Sequence, residues 1–128
     1  MTLREHIHTL LRDNVALRAL LGKSVTPYGI YQDYPQKKLT LPVVTHRLGS
    51  YEGGELIKYR NYEITAWGDN CNAIAEKIYD ILNNTITCPL SDFSVLKLSF
   101  SHSTGEMFDQ NYDQKIRKDT YKCIIIRK

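Results

Sequence analysis

Four histidines and three cysteines have the widest reactive repertoire in this 128-residue chain, and their spacing limits what they can do. His6 and His8 stand two apart in a segment of helical periodicity, which turns them roughly 200° from each other around the axis. They cannot grip one metal ion as an i, i+4 pair does. His46 and His102 fall in strand-like stretches with no carboxylate or cysteine at ligand spacing, and read as surface or interface histidines. Cys71, Cys88 and Cys123 are odd in number, far apart and outside any paired metal motif, so reduced thiols are expected and disulfides are not. Gly53-Gly54 has no Gly-x-x-x-x-Gly-Lys-Ser/Thr context and reads as a turn rather than a phosphate cradle. Asn83-Asn84-Thr85 fits a glycosylation acceptor by pattern, yet helix termination explains its asparagines better. No nucleophile, base and orienting group can be nominated together, so the chain reads as a non-enzyme with no cofactor and no metal.

The nine tyrosines are a different kind of signal, because tyrosine is enriched at protein interfaces and on single-stranded nucleic-acid surfaces alike. Tyr28, Tyr31 and Tyr34 cluster beside Lys37-Lys38, but acidic residues interrupt the basic runs, and that balance favours protein contact. The net charge of +3 is too small to argue for nucleic acid by itself. Its distribution is uneven: Lys115, Arg117, Lys118, Lys122, Arg127 and Lys128 face one acid, Asp119, over the last segment.

A hydrophobic share of 42% and a charged share of 24% are those of an ordinary soluble domain, and they exclude disorder and disulfide miniproteins. At 14.8 kDa one continuous core suffices, so a single domain over residues 1–128 is expected. The longest apolar runs, such as 123–126, fall far short of the roughly 20 residues that cross a bilayer, so no membrane partner is expected. The start, Met1-Thr2-Leu3-Arg4-Glu5-His6, does not resemble a secretory leader, and synthesis and retention in a cytoplasm are expected.

Local patterns then place the elements. Thr2 with Glu5 forms a capping box, and Leu3, Ile7, Leu10 and Leu11 recur at helical spacing over about 3–12. Asp13-Asn14 can cap a second short helix carrying Leu17, Leu20 and Leu21, which Gly22 stops. A short strand follows from Val25 to Tyr31, then a polar loop between Gln32 and Lys38. Val43 to about Leu48 forms a second strand, Glu52-Gly53-Gly54-Glu55 a turn, and Leu56 to Trp67 the return limb, with Tyr62, Ile64 and Ala66 on one side. Gly68-Asp69-Asn70 leads into a helix with Ile74, Ile78, Ile81 and Leu82, stopped by Asn83-Asn84. Phe93 to His102 alternates as a strand with Leu96, Leu98 and Phe100 on one side, 103–114 reads as a polar loop, and about 116–127 as the last strand.

The order predicts an α+β fold: two layers, a mainly antiparallel sheet of about four or five strands, and two main helices on one face. The opposite face would carry Tyr59, Trp67, Val95 and whichever of Tyr121/Cys123/Ile125 or Ile124/Ile126 is left out of the core. Both sets are apolar, so a covering partner is expected.

The stretch Leu10-Leu11-Arg12-Asp13-Asn14-Val15-Ala16-Leu17-Arg18-Ala19-Leu20-Leu21-Gly22 is followed by a Leu41-Pro42-Val43-Val44 strand entry. Next come the strand Tyr62-Glu63-Ile64-Thr65-Ala66-Trp67 and the Ile74/Ile78/Leu82 helix. With Thr120-Tyr121 leading into the final apolar strand, this series resembles the tail completion, or tail terminator, proteins of long-tailed bacteriophages and prophages. The resemblance spans nearly the whole chain and lies in spacing and apolar pattern. It implies a structural virion protein at the head-tail junction: a homo-oligomeric, six-membered ring that caps the tail tube, ends its polymerisation and offers a surface to the head connector. Its partners would be copies of itself, the tail tube protein and the connector or neck protein, with DNA as passing cargo.

On that reading Tyr59, Trp67, Tyr121, Ile124 and Ile126 would meet neighbouring subunits. Loops at 32–41 (Tyr34, Lys37, Lys38), 49–56 (Tyr51, Glu52, Glu55) and 103–115 (Met107, Phe108) would adapt to tube or connector. A head-side neck adaptor is the nearest alternative. A small nucleic-acid-binding module built on the tyrosine and lysine cluster and the basic last strand is a further one, and it predicts steep salt dependence.

Overall fold

The computed structural model describes residues 3–23, 28–33, 42–53, 57–83, 93–111 and 113–127, with the backbone alone for 50–53, 57–59, 93–96 and 125–127. The N-terminal pattern becomes two helices, α1 (Leu3–Arg12) and α2 (Val15–Leu21). α1 buries Leu3, Ile7 and Leu11, the stripe its periodicity announced, while Thr2 lies outside the described residues. Between the helices Asn14 is extended and accepts the Leu17 N–H at 2.9 Å, satisfying a donor that the first turn of α2 would otherwise leave free. Gly22 ends α2 at φ +66°, a left-handed conformation that costs glycine little, and its N–H closes on the Arg18 carbonyl.

The strands are β1 (Ile30–Gln32), β2 (Val43–Gly53), β3 (Ile57–Trp67), β4 (Phe93–Asp109) and β5 (Gln114–Arg127), with α3 (Cys71–Leu82) between β3 and β4. They form one sheet in the order β1-β2-β3-β5-β4. The α+β expectation holds: all three helices lie against one side of the sheet. Pairing is antiparallel except at the edge, where β1 runs parallel to β2, with Ile30 opposite Val44. The short first strand therefore does not form a hairpin with β2, since the two run in the same direction.

Alternation sorts the residues as expected on β3, where Tyr62, Ile64 and Ala66 are buried beneath the helices. α3 contributes Ile74, Ile78 and Leu82, β4 contributes Leu98, and β5 contributes Tyr121 and Cys123. Phe100 packs edge-on against Tyr121 with centroids 5.7 Å apart. The last strand thus gives Tyr121 and Cys123 to the core. Tyr121 has no accessible surface, so the expectation that it meets a neighbouring subunit gives way to a core role.

Two loops expected from sequence are strand instead. β2 continues past Leu48 to Gly53 through a bulge between Leu48 and Tyr51. The supposed polar loop at 103–115 is largely the end of a long β4–β5 hairpin, with Glu106 opposite Arg117, Met107 opposite Ile116 and Phe108 opposite Lys115. Ser103, Thr104 and Gly105 look like loop residues because a bulge lies there. Gly105 takes φ +69°, and one extra residue is absorbed between the Ser103 and Glu106 pairs.

Candidate interaction surface

The sheet face away from the helices is banded rather than uniformly apolar. Register aligns Val43, Trp67, Ile116 and Met107 in one row across β2, β3, β5 and β4. Val43, Trp67 and Ile116 pack as a small second core with Tyr31 beside them, and the Trp67 indole N–H donates to the Thr45 hydroxyl at 3.0 Å. Trp67 is therefore already committed within its own subunit, at 8% exposure. The row emerges at the β4 edge as Met107, which is 44% exposed.

The next rows are polar. Glu63 accepts from Arg47 Nε at 2.6 Å and lies 3.4 Å from Lys118 Nζ. Burial pushes the Glu63 carboxyl pKa up, but the Arg47 and Lys118 contacts outweigh that and hold it below its usual range. Arg47, Glu63, Thr65, Lys118 and Asp33 line a cleft of about 320 Å³ above Trp67 and Ile116. The expectation of an apolar surplus on this face is thus corrected over these rows, because β-strand alternation sets charged residues outward beside the Val43–Trp67–Ile116 row. Beyond the polar rows, register pairs Ile124, half-buried, with Tyr59, and Ile126 with Ile57. The side chains of Tyr59 and Ile126 lie outside the described residues.

The remaining expected sites divide in the same way. Tyr34, Lys37, Lys38 and Glu55 lie outside the described residues, and Tyr51 and Glu52 are described only as backbone pairing with Arg60 and Tyr59. Met107 and Phe108 are the exposed apolar pair at the hairpin end, Phe108 at 56%.

His46, expected at the surface, is instead buried on the helix side. Its ring stacks on Tyr62, its Nδ1 is hydrogen-bonded to the Tyr62 hydroxyl at 2.5 Å, and its Nε2 meets His8 Nδ1 at 2.9 Å. Burial, with His8 and Arg4 nearby, pushes the His46 pKa down to about 3, so the imidazole is neutral. A neutral His46 donates through one nitrogen and accepts through the other, which lets it link Tyr62 to His8. Sequence reasoning missed this because the burial comes from α1 docking over β2, not from the residues flanking position 46.

Arg117 and Asp119 were also missed, since they lie inside a basic run. Asp119 is buried, and Arg117 Nε donates to its carboxylate at 3.0 Å and to Ser103 Oγ at 3.1 Å. Arg117 Nη1 reaches Asn72 Oδ1 at 3.3 Å, tying the first turn of α3 to β5 and β4. Cys123 is fully buried, and burial raises its thiol pKa to about 12, which leaves it unreactive as a nucleophile. Among the described residues no three His, Cys, Asp or Glu side chains converge as a metal site requires, and no helix is long and apolar enough to cross a membrane.

No protein-family model matches the chain, and no curated protein does. A solved structure does: a chain of the virion of a native gene transfer agent particle superposes with a TM-score of 0.75. The match covers 97% of this chain and 94% of that one at 18% sequence identity. At that identity the two chains share a fold, end to end.

Proposed function

We propose that this chain is a structural virion subunit of the tail completion type: a ring, six subunits in number, that caps the tail tube, stops its growth and presents the joining surface to the head connector. The end-to-end fold match to a virion chain carries this reading. The two sheet edges support it. β1 offers three residues at one edge, while β4 offers seventeen and an exposed apolar tip at the other. A cyclic ring is built from unlike surfaces meeting head to tail, and a sheet with two unlike edges provides them. The subunit turns over no substrate. Its mild charge of +3 suits a passage for DNA rather than a clamp on it.

The test is growth of tail tubes in the presence and absence of this protein, with its native mass measured from about 1 μM to about 1 mM. A six-subunit species that arrests tube elongation is the expected result. Tubes of unaltered length, with the protein recovered on heads, would overturn the tail-capping role in favour of a head-side adaptor. Retention on DNA that falls steeply with salt and no binding to tubes would overturn both.

A further inference from the structure

α2 and Tyr28 border an open groove of about 470 Å³ lined by Val15, Arg18, Ala19, Gly22, Lys23 and Tyr28. Its floor is apolar, and Val15 stands 70% exposed. Its rim is basic: the Arg18 guanidinium lies 4.8 Å over the Tyr28 ring, and Lys23 Nζ donates to the Leu21 and Pro42 carbonyls. Those contacts fix the groove beside the start of β2 and the approach to β1, at one lateral edge of the sheet.

The β4–β5 hairpin end lies at the other edge and has the complementary character. From Gly105 to Lys115 the chain carries three acids, Glu106, Asp109 and Asp113, against one base, Lys115, which stands opposite Phe108. Met107 and Phe108 lie among them, both largely exposed. An apolar tip with an acidic border and an apolar floor with a basic border sit on opposite edges of one subunit. They cannot meet within it, whereas a head-to-tail neighbour brings them together. A groove of this volume has room for a phenylalanine side chain, and the charged rims would set its register.

We propose that the occupant of the α2–Tyr28 groove is the hairpin end of a second copy of this chain, with Phe108 seated against Val15 and Ala19. The contact rests on the ring reading and specifies which surfaces close it. It is heterologous, so every subunit gives one tip and receives one, and the pattern repeats around the ring.

Phe108→Asp and Val15→Asp test it, because both side chains are exposed and Asp at the first position of α2 suits the helix N-terminus. Each variant should keep the wild-type far-UV spectrum and melting temperature while losing the ring species at concentrations where wild type forms it. In a second measurement, Val15→Cys and Phe108→Cys variants, both carrying Cys88→Ser, are mixed and oxidised; they should give a disulfide-linked dimer that neither gives alone. Rings that persist in both Asp variants, or the absence of that cross-link under conditions where rings form, would overturn the groove contact and leave the ring standing. A wild-type chain that stays monomeric to about 1 mM, and on tubes as well, would overturn the ring reading and the contact with it.

Discussion

His46 lies flat against Tyr62, ring centroids 5.7 Å apart at 28°, with its far nitrogen turned to His8 on α1. The pair joins two sheet strands and a helix through one uncharged imidazole. Its ordinary pKa in the unfolded chain is 6.5, and the folded value is pushed down to about 3. Above about pH 6.5 both states are neutral and His46 adds no pH dependence; as pH falls below that, the unfolded chain takes up the proton first and stability drops. Between pH 7.5 and pH 5 the loss is about 2 kcal/mol from this residue, with His8 and His6 shifted in the same direction. Urea midpoints at the two pH values measure it, and His46→Phe should flatten the slope.

The Tyr121 hydroxyl is buried with no hydrogen-bond partner among the described residues, while its ring is fully enclosed. Tyr121→Phe should therefore leave stability within about 1 kcal/mol of wild type or raise it. Tyr121→Ala, which empties the space under Phe100, should cost about 3–5 kcal/mol. Chemical denaturation of the two variants separates packing from hydrogen bonding at this position.

Replacing Asn14 with Ala removes the acceptor for the Leu17 N–H and should cost about 1 kcal/mol. At the other end of α2, Gly22→Ala meets no neighbour, since nothing lies within 4 Å of the added carbon. It should still destabilise by about 1 kcal/mol, because φ +66° is strained for any L side chain. Thermal melts of both variants test the two caps independently.

Glu63 sits between Arg47 and Lys118 on an accessible face, with the Arg47 side chain 59% exposed. Glu63→Gln should change stability by no more than about 1 kcal/mol, and the difference should shrink in high salt. Denaturation at low and high salt concentration checks both statements.

Helix α3 was legible in the sequence because Ile74, Ile78 and Leu82 repeat at a local period, and so was β3, where Tyr62, Ile64 and Ala66 alternate. The assignment of Tyr121 and Cys123 to the core was not, since Ile124 and Ile126 are as apolar; the choice is made by register, which sets Tyr121 opposite Tyr62. Residues 103–109 were illegible for a related reason. Their strand conformation depends on β5 residues in the next limb, and Ser103-Thr104-Gly105 taken alone has turn chemistry. Of the candidate surface, the exposed Met107 and Phe108 could be named in advance, but the groove at Val15 and Arg18 could not. It arises where α2 and the Tyr28 segment meet, a tertiary relation with no sequence period.

β4 absorbs an unmatched residue at each of three places, between Val95 and Lys97, Phe100 and His102, and Ser103 and Glu106. Each reverses which side of the sheet the following odd-numbered residues occupy, so the strand behaves as a counter whose last digit is read at its far end. Deleting one residue along that stretch, with the three bulges kept, would shift the pairing beyond it by one and exchange the sides held by Met107 and Phe108. In this strand, length is information: substitutions change what the tip is made of, while a single insertion or deletion changes where it points.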